Sequence, residues 1–293
     1  MWLLMALGSS MLLGLYDVAK KQALRKNDIL YILAGATALT VIFLCPFLGR
    51  GTAHQHLCLA FKAVLVTASW VSGMMALKLL PITTVSTLKA TRPMFVVLFS
   101  ILLFVERLNL WQWAGVLIML AAIWLLSVSS DREGIHFSRN RGIWAMGVSI
   151  LTGVASALFD KHILTSLGME PLFVQAWSNV YITALLALII AARAVAAGRR
   201  SSPEAGPGGI APFRWDWTIV LIAVLITAAD ALYFLSLAQE GALLSVVSMV
   251  RRCSVVVTFI LGAILFKERR LHGKALSLGL LLAGMVLLLS GTI

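Results

Sequence analysis

Charge is what this chain has least of, and negative charge least of all. Of 293 residues only 12% are charged, with 12 Asp and Glu against 24 Lys and Arg. A soluble domain of that length and composition would expose wide apolar patches and aggregate, which excludes a free-standing soluble fold. Cysteine is nearly absent. Cys45, Cys58 and Cys253 have neither metal-ligand spacing nor a disulfide pattern, which excludes a zinc module and a disulfide-stapled domain. Cys253 adjoins Arg251 and Arg252 and could be reactive, but a small apolar packing residue is the plainer reading. Long polar stretches are missing too, so no connection can hold a soluble catalytic module. There is no His/Asp/Glu metal cluster and no Ser/His/Asp set at a workable spacing. The sequence therefore predicts no enzyme and no cofactor.

What is present is apolar. Hydrophobic residues make up 60% of the chain, and the mean hydropathy is +0.96. Stretches of roughly 20 apolar residues cross a ~30 Å hydrocarbon layer as helices. Ten occur, at about 2–22, 29–49, 59–79, 83–105, 110–129, 142–164, 171–193, 216–238, 242–266 and 273–292. The first begins at Met1 with no basic region before it and no small-residue cleavage site after it, so no removable signal peptide is expected. The expected class is an all-α integral membrane protein, multi-pass, in the plasma (bacterial inner) membrane. Trp111, Trp113, Trp144, Trp215 and Trp217 cluster near segment ends, as interfacial anchors do.

The net charge of +12 suggests nucleic acid, but the basic residues sit in short connections rather than on one soluble face. No nucleic-acid partner is expected. Sixteen of them, from Lys20, Lys21, Arg25 and Lys26 through Arg193, Arg199, Arg200 and Arg214 to Lys267 and Lys274, fall in or beside odd-numbered connections. Even-numbered connections hold Arg50, Arg107 and at most Lys62. The positive-inside rule makes the odd connections cytoplasmic and turns both termini outward.

The membrane plan repeats. Phe104-Val105-Glu106-Arg107-Leu108 returns as Phe266-Lys267-Glu268-Arg269-Arg270, a shift of 162, and at that shift Lys89 lands on Arg251. Leu15-Tyr16-Asp17 returns as Leu158-Phe159-Asp160. Five segments per half is an odd number, so the two copies cross the bilayer in opposite senses, as an inverted repeat. The expected units are residues 1–130 and 142–293, with a flexible loop at about 194–215 whose Gly, Ser and Pro content is that of a linker. The fifth and tenth segments carry almost no polar group after their first turn and read as peripheral to any pathway. Their Ala121-Ala122 and Ala283-Gly284 pairs suit close helix packing, within the chain or in a homodimer.

Ionisable groups inside segments carry the functional expectation, since each costs several kcal/mol unless paired or facing water. The candidate substrate-binding bases are Lys89, Arg92, Arg251 and Arg252; the candidate proton-coupling or ion-pairing acids are Asp17, Asp160 and Asp230. The groups could form fixed ion pairs only. Alternatively, the positive excess could bind a solute through its carboxylate or phosphate, and an aspartate could carry a proton during the cycle. Lys20 and Lys21 follow Asp17 by three and four residues and are expected to snorkel to the interface. Lys161 and His162 adjoin Asp160, where a packing role is the plainer reading. Pro93, directly after Arg92, is expected to kink the fourth segment.

Two stretches extend this reading. Gly14-Leu15-Tyr16-Asp17-Val18-Ala19-Lys20-Lys21 and Ala76-Leu77-Lys78-Leu79-Leu80-Pro81, with the paired Glu-Arg segment ends, resemble the EamA-like family of the drug/metabolite transporter superfamily. Leu13 stands where that family usually has tryptophan. The resemblance implies ten helices in two inverted halves and alternating-access export or exchange of small metabolites. The expected function is secondary transport of a small polar metabolite with an anionic group, by exchange or with protons. A flippase for a phosphate-linked lipid is the alternative, and a membrane-embedded lipid-modifying enzyme is weaker.

Overall fold

A computed structural model describes residues 1–104, 109–131, 133–165, 167–199, 214–237, 239, 247, 250–268 and 271–290. Among the described residues it is helical without strands. The helices are α1 (Trp2–Ala23), α2 (Ile29–Leu44), α3 (Ala53–Leu79), α4 (Ile82–Lys89), α5 (Arg92–Phe104), α6 (Leu110–Asp131), α7 (Arg141–Thr165), α8 (Pro171–Arg199), α9 (Trp217–Leu237), α10 (Ser254–Leu265) and α11 (Leu271–Ser290). Among the described residues seven helical spans are long and apolar enough to cross a membrane, and Trp217–Tyr233 is a shorter apolar one. All five interfacial tryptophans are exposed.

Caps shift the ends from where hydropathy alone puts them. Thr52 and Gln55 form a capping box, so α3 starts six residues before its apolar stretch and takes Lys62 into its third turn. Asp28 caps α2, accepting from the Leu30 N–H at 3.1 Å. At the far end of α8 the expected linker is corrected: residues 194–199 are helical, because the Ala-rich run before Arg199 is a good helix former. Residues 200–213 lie outside the described residues, as do Glu106-Arg107 and Arg269-Arg270 of the repeated motif.

The fourth segment is two helices rather than one kinked helix. Pro93 has no N–H to give the Lys89 carbonyl, and the chain turns through Ala90 and Thr91 before α5 starts at Arg92. The second half breaks at the matching place without a proline: Arg251 and Arg252 are helical, Cys253 is a turn, and Val256 N–H reaches the Cys253 carbonyl at 2.9 Å. Each break falls beside the basic residues.

Helix α1 packs on α9 and α3 on α7; α2 packs on α9 and α3 on α8; α1 packs on α10 and α5 on α7. Exchanging the halves turns the first member of each pair into the second. Pairs α2–α8 and α6–α11 map onto themselves. Contacts between connections respect parity. Lys26 pairs with Asp216 at 3.2 Å and Asn27 with the Arg214 backbone, joining the first connection to the seventh. Trp177 Nε1 donates to the Gly49 carbonyl at 3.0 Å at the opposite, even end.

The small residues of α6 and α11 face each other. A Cβ on Gly284 would lie 2.8 Å from the Gly115 carbonyl oxygen, and one on Gly115 2.7 Å from that of Gly284. Gly284→Leu is expected to force the helices apart and cost about 1–3 kcal/mol, as overpacking does. Thermal melting of the purified protein in detergent measures this, and an unchanged midpoint would contradict the close crossing.

Candidate functional site

Helices α1, α2, α3, α4, α7, α8 and α9, with Arg92 and Arg251, enclose a cavity of about 950 Å³. Among the described residues none of α6 or α11 lines it. The lining stops at Lys20, Leu33, Leu77 and Ile222, short of the odd-end helix termini, and reaches Pro171, the first residue of α8, at the even end.

Two acid–base pairs frame the cavity. Asp17 of α1 takes Lys89 Nζ at 2.7 Å, and its second oxygen receives a long bond from Thr258 Oγ1 at 3.4 Å. This ties the C-terminus of α4 to α1 and α10. Asp230 of α9 pairs with Arg251 and accepts from Gln175 Nε2 at 2.6 Å, while the Arg251 guanidinium lies 4.4 Å from the Tyr233 ring centroid. Asp160 departs from the repeat. Its partner is Lys62 of α3 at 2.7 Å, so it bridges the halves instead of meeting Arg251.

Two cavity bases have no acidic contact among the described residues. Lys20 is buried, not at the interface, which corrects its expected snorkelling: its ammonium donates to Tyr16 Oη at 3.2 Å and lies 4.3 Å from that ring centroid. Arg92 donates to Ser69 Oγ at 3.3 Å and to the Ser149 carbonyl at 3.4 Å. Ser69 and Ser149 also bond each other reciprocally, at 2.8 and 2.7 Å, where α3 crosses α7. A Cβ on Gly153 would fall onto the Arg92 guanidinium, so the glycine leaves the slot in which that group lies.

Of the seven residues singled out in the sequence, Lys89, Arg92, Arg251, Asp160 and Asp230 line the cavity, and Asp17 stands behind Lys89. Arg252 is exposed and does not line it; the helix turns its neighbour Arg251 inward. His162 is exposed and likewise off the cavity, its ring centroid 6.3 Å from that of Phe159. Sequence reasoning missed Lys62, Gln175 and the Ser69–Ser149 pair. Lys62 lies within the apolar stretch at 59–79, and the capping box moves the helix start back to Ala53, well before it.

Residues 1–128 match the family model described as the EamA-like transporter family. Among solved structures 22 chains match. One, titled only as the crystal structure of a protein, aligns over 98% of this chain and 98% of its own, with a TM-score of 0.58 and 17% identity. That likeness is one of fold. No curated protein matches the sequence.

Proposed function

We propose, from the match of residues 1–128 to the EamA-like transporter family, that the chain belongs to the drug/metabolite transporter superfamily and is a ten-helix secondary carrier. The family match over residues 1–128 and the apolar helices support multi-pass membrane insertion and transport. The finer reading is two inverted five-helix units, 1–130 and 142–293, enclosing one solute site. The exchange of helix contacts between halves and the parity of the connections support it.

The solute is a small metabolite with an anionic group. The observation that carries this is the charge of the cavity wall. Five lining bases meet two lining acids, Asp160 and Asp230, with Asp17 behind Lys89, and Lys20 and Arg92 are left without an acidic contact among the described residues. In a wall otherwise rich in Leu, Val and Ile, two cations without an acidic contact are costly unless an anion joins them. Apolar walls with a few convergent polar groups are also how solute pockets are built. Where transport is coupled to protons, Asp160 is the carboxylate placed for it. It has one basic partner, and its side chain is 36% exposed against 12% for Asp17 and 20% for Asp230.

A panel of carboxylates, phosphate monoesters, neutral solutes and lipid phosphates tested for thermal stabilisation is expected to single out small anions. A ligand at 100 times its Kd adds about 2.7 kcal/mol to stability. Stabilisation by neutral solutes alone would sink the reading, and stabilisation by lipid phosphates alone would favour flipping. Flux into proteoliposomes with and without a pH gradient tests coupling. Flux indifferent to the gradient and to Asp160→Asn removes the proton from the mechanism.

A further inference from the structure

The odd end of the molecule carries a second charged arrangement, separate from the cavity. Helix α3 ends at Leu79 and α4 begins at Ile82, with Pro81 at the corner. A helix end leaves carbonyls unpaired, and a helix start leaves N–H groups unpaired. Both sets are taken by charged side chains from elsewhere in the chain. Lys21 of α1 donates to the Leu77 carbonyl and, at 2.7 Å, to the Leu80 carbonyl. Glu268, just after α10, accepts from the Ile82 N–H at 2.7 Å, the Thr83 N–H at 3.2 Å and the Thr83 hydroxyl. The cation sits on the negative end of α3 and the anion on the positive end of α4, so both charges match the helix dipoles.

The surroundings hold this arrangement in place. Lys267 adopts a φ of +50°, a conformation non-glycine residues rarely take, where the chain leaves α10 and delivers Glu268 to the corner. Lys274, 0% exposed, bonds Thr83 Oγ1 at 3.3 Å and pairs with Glu133 of the connection between the halves at 2.7 Å. Ile82 itself packs where a Cβ on Gly262 of α10 would lie. Lys21 belongs to α1, which packs on α9 and on α10, and Glu268 follows α10; the corner they grip joins α3, which packs on α7, to α4, which packs on α10.

We infer that Lys21 and Glu268 form the odd-end gate: a two-sided clamp on the α3–Pro81–α4 corner that seals the cavity there while it reaches the even end. The inference rests on the alternating-access reading of the cavity. For the odd end to open, the clamp must release the corner, and each helix end then regains its orphan groups to water. The clamp lies outside the solute site, since neither residue lines the cavity.

The test uses the full chain with Cys45, Cys58 and Cys253 changed to serine and one reporter, Ile226→Cys, in the cavity wall. Sealed vesicles of both orientations are treated with a membrane-impermeant methanethiosulfonate, and a separate Lys26→Cys variant marks the odd end. The parent is expected to label from the even end. Lys21→Gln and Glu268→Gln should each raise odd-end labelling by roughly ten-fold and lower even-end labelling, as a population shift requires. Lys62→Gln, at the other end, should not raise odd-end labelling. Unchanged odd-end labelling in a folded Lys21→Gln overturns the clamp even if Glu268→Gln fails to fold. Odd-end labelling that rises with no fall at the even end upholds the clamp as a seal and sinks alternating access instead.

Discussion

Arg92→Gln is expected to abolish most solute-dependent stabilisation and transport while leaving the fold almost untouched. The guanidinium meets no carboxylate among the described residues, so removing its charge orphans no buried acid. Its two protein bonds are long, at 3.3 and 3.4 Å, and their acceptors Ser69 and Ser149 already bond each other. The stability cost should therefore stay near ~1 kcal/mol or below. On the solute side the loss is larger. A charge-assisted bond to a bound anion contributes about 1.5–3 kcal/mol, or roughly a ten- to hundred-fold change in affinity. Arg92→Lys keeps the charge and loses the planar fork, and should fall between. The checks are flux in proteoliposomes and the melting shift produced by the best anion of the panel. Full transport by Arg92→Gln would remove Arg92 from the site and return the cavity's positive excess to Lys20.

Much of this arrangement is written locally in the sequence, and the rest is not, for identifiable reasons. Apolar run length finds the spans because lipid leaves the backbone no other option than a helix. The break at Arg92 is legible because Pro93 removes one bond; its counterpart at Cys253 has no such residue and emerges only in the fold. The Asp17–Lys89 pair can be guessed from the repeat, since each half offers an acid on its first segment and a base on its fourth. The same rule fails for Asp160. Lys62, near the start of the apolar stretch at 59–79, stands within reach of α7 and takes Asp160 instead. Lys20 is similar: snorkelling is the local expectation, but the Tyr16 ring and the cavity give its ammonium a nearer polar place. The role of Glu268 is visible in sequence only as a repeated Glu-Arg pair. Its acceptance of the α4 amides depends on a contact between residues 186 positions apart, which no periodicity encodes.

Asp17→Asn should produce the largest loss of stability of any single change at the cavity, and the loss should be repaired by a second substitution. Asp17 holds Lys89 at 2.7 Å, and the amide leaves that ammonium without its counter-charge in the membrane interior. Breaking a buried pair from one side costs about 3–5 kcal/mol. Lys89 has a side chain 34% exposed to the cavity, which places the expected cost near the lower figure. For a chain of this size that is a drop of roughly 6–12 °C in melting temperature. The reverse change, Lys89→Gln, should cost less, because Lys20 lies within electrostatic reach of Asp17 and Thr258 still donates to it. Asp17→Asn combined with Lys89→Met removes both charges and fills the space with an apolar chain of similar length. Such exchanges are often neutral or stabilising, so the double variant should recover most of the melting temperature. The pair's part in transport then separates from its part in folding. A double variant that melts like the parent and still carries the anion assigns Asp17 and Lys89 to architecture, holding α4 against α1. One that melts like the parent and carries nothing assigns them to the cycle, with Lys89 exchanging its protein carboxylate for that of the solute.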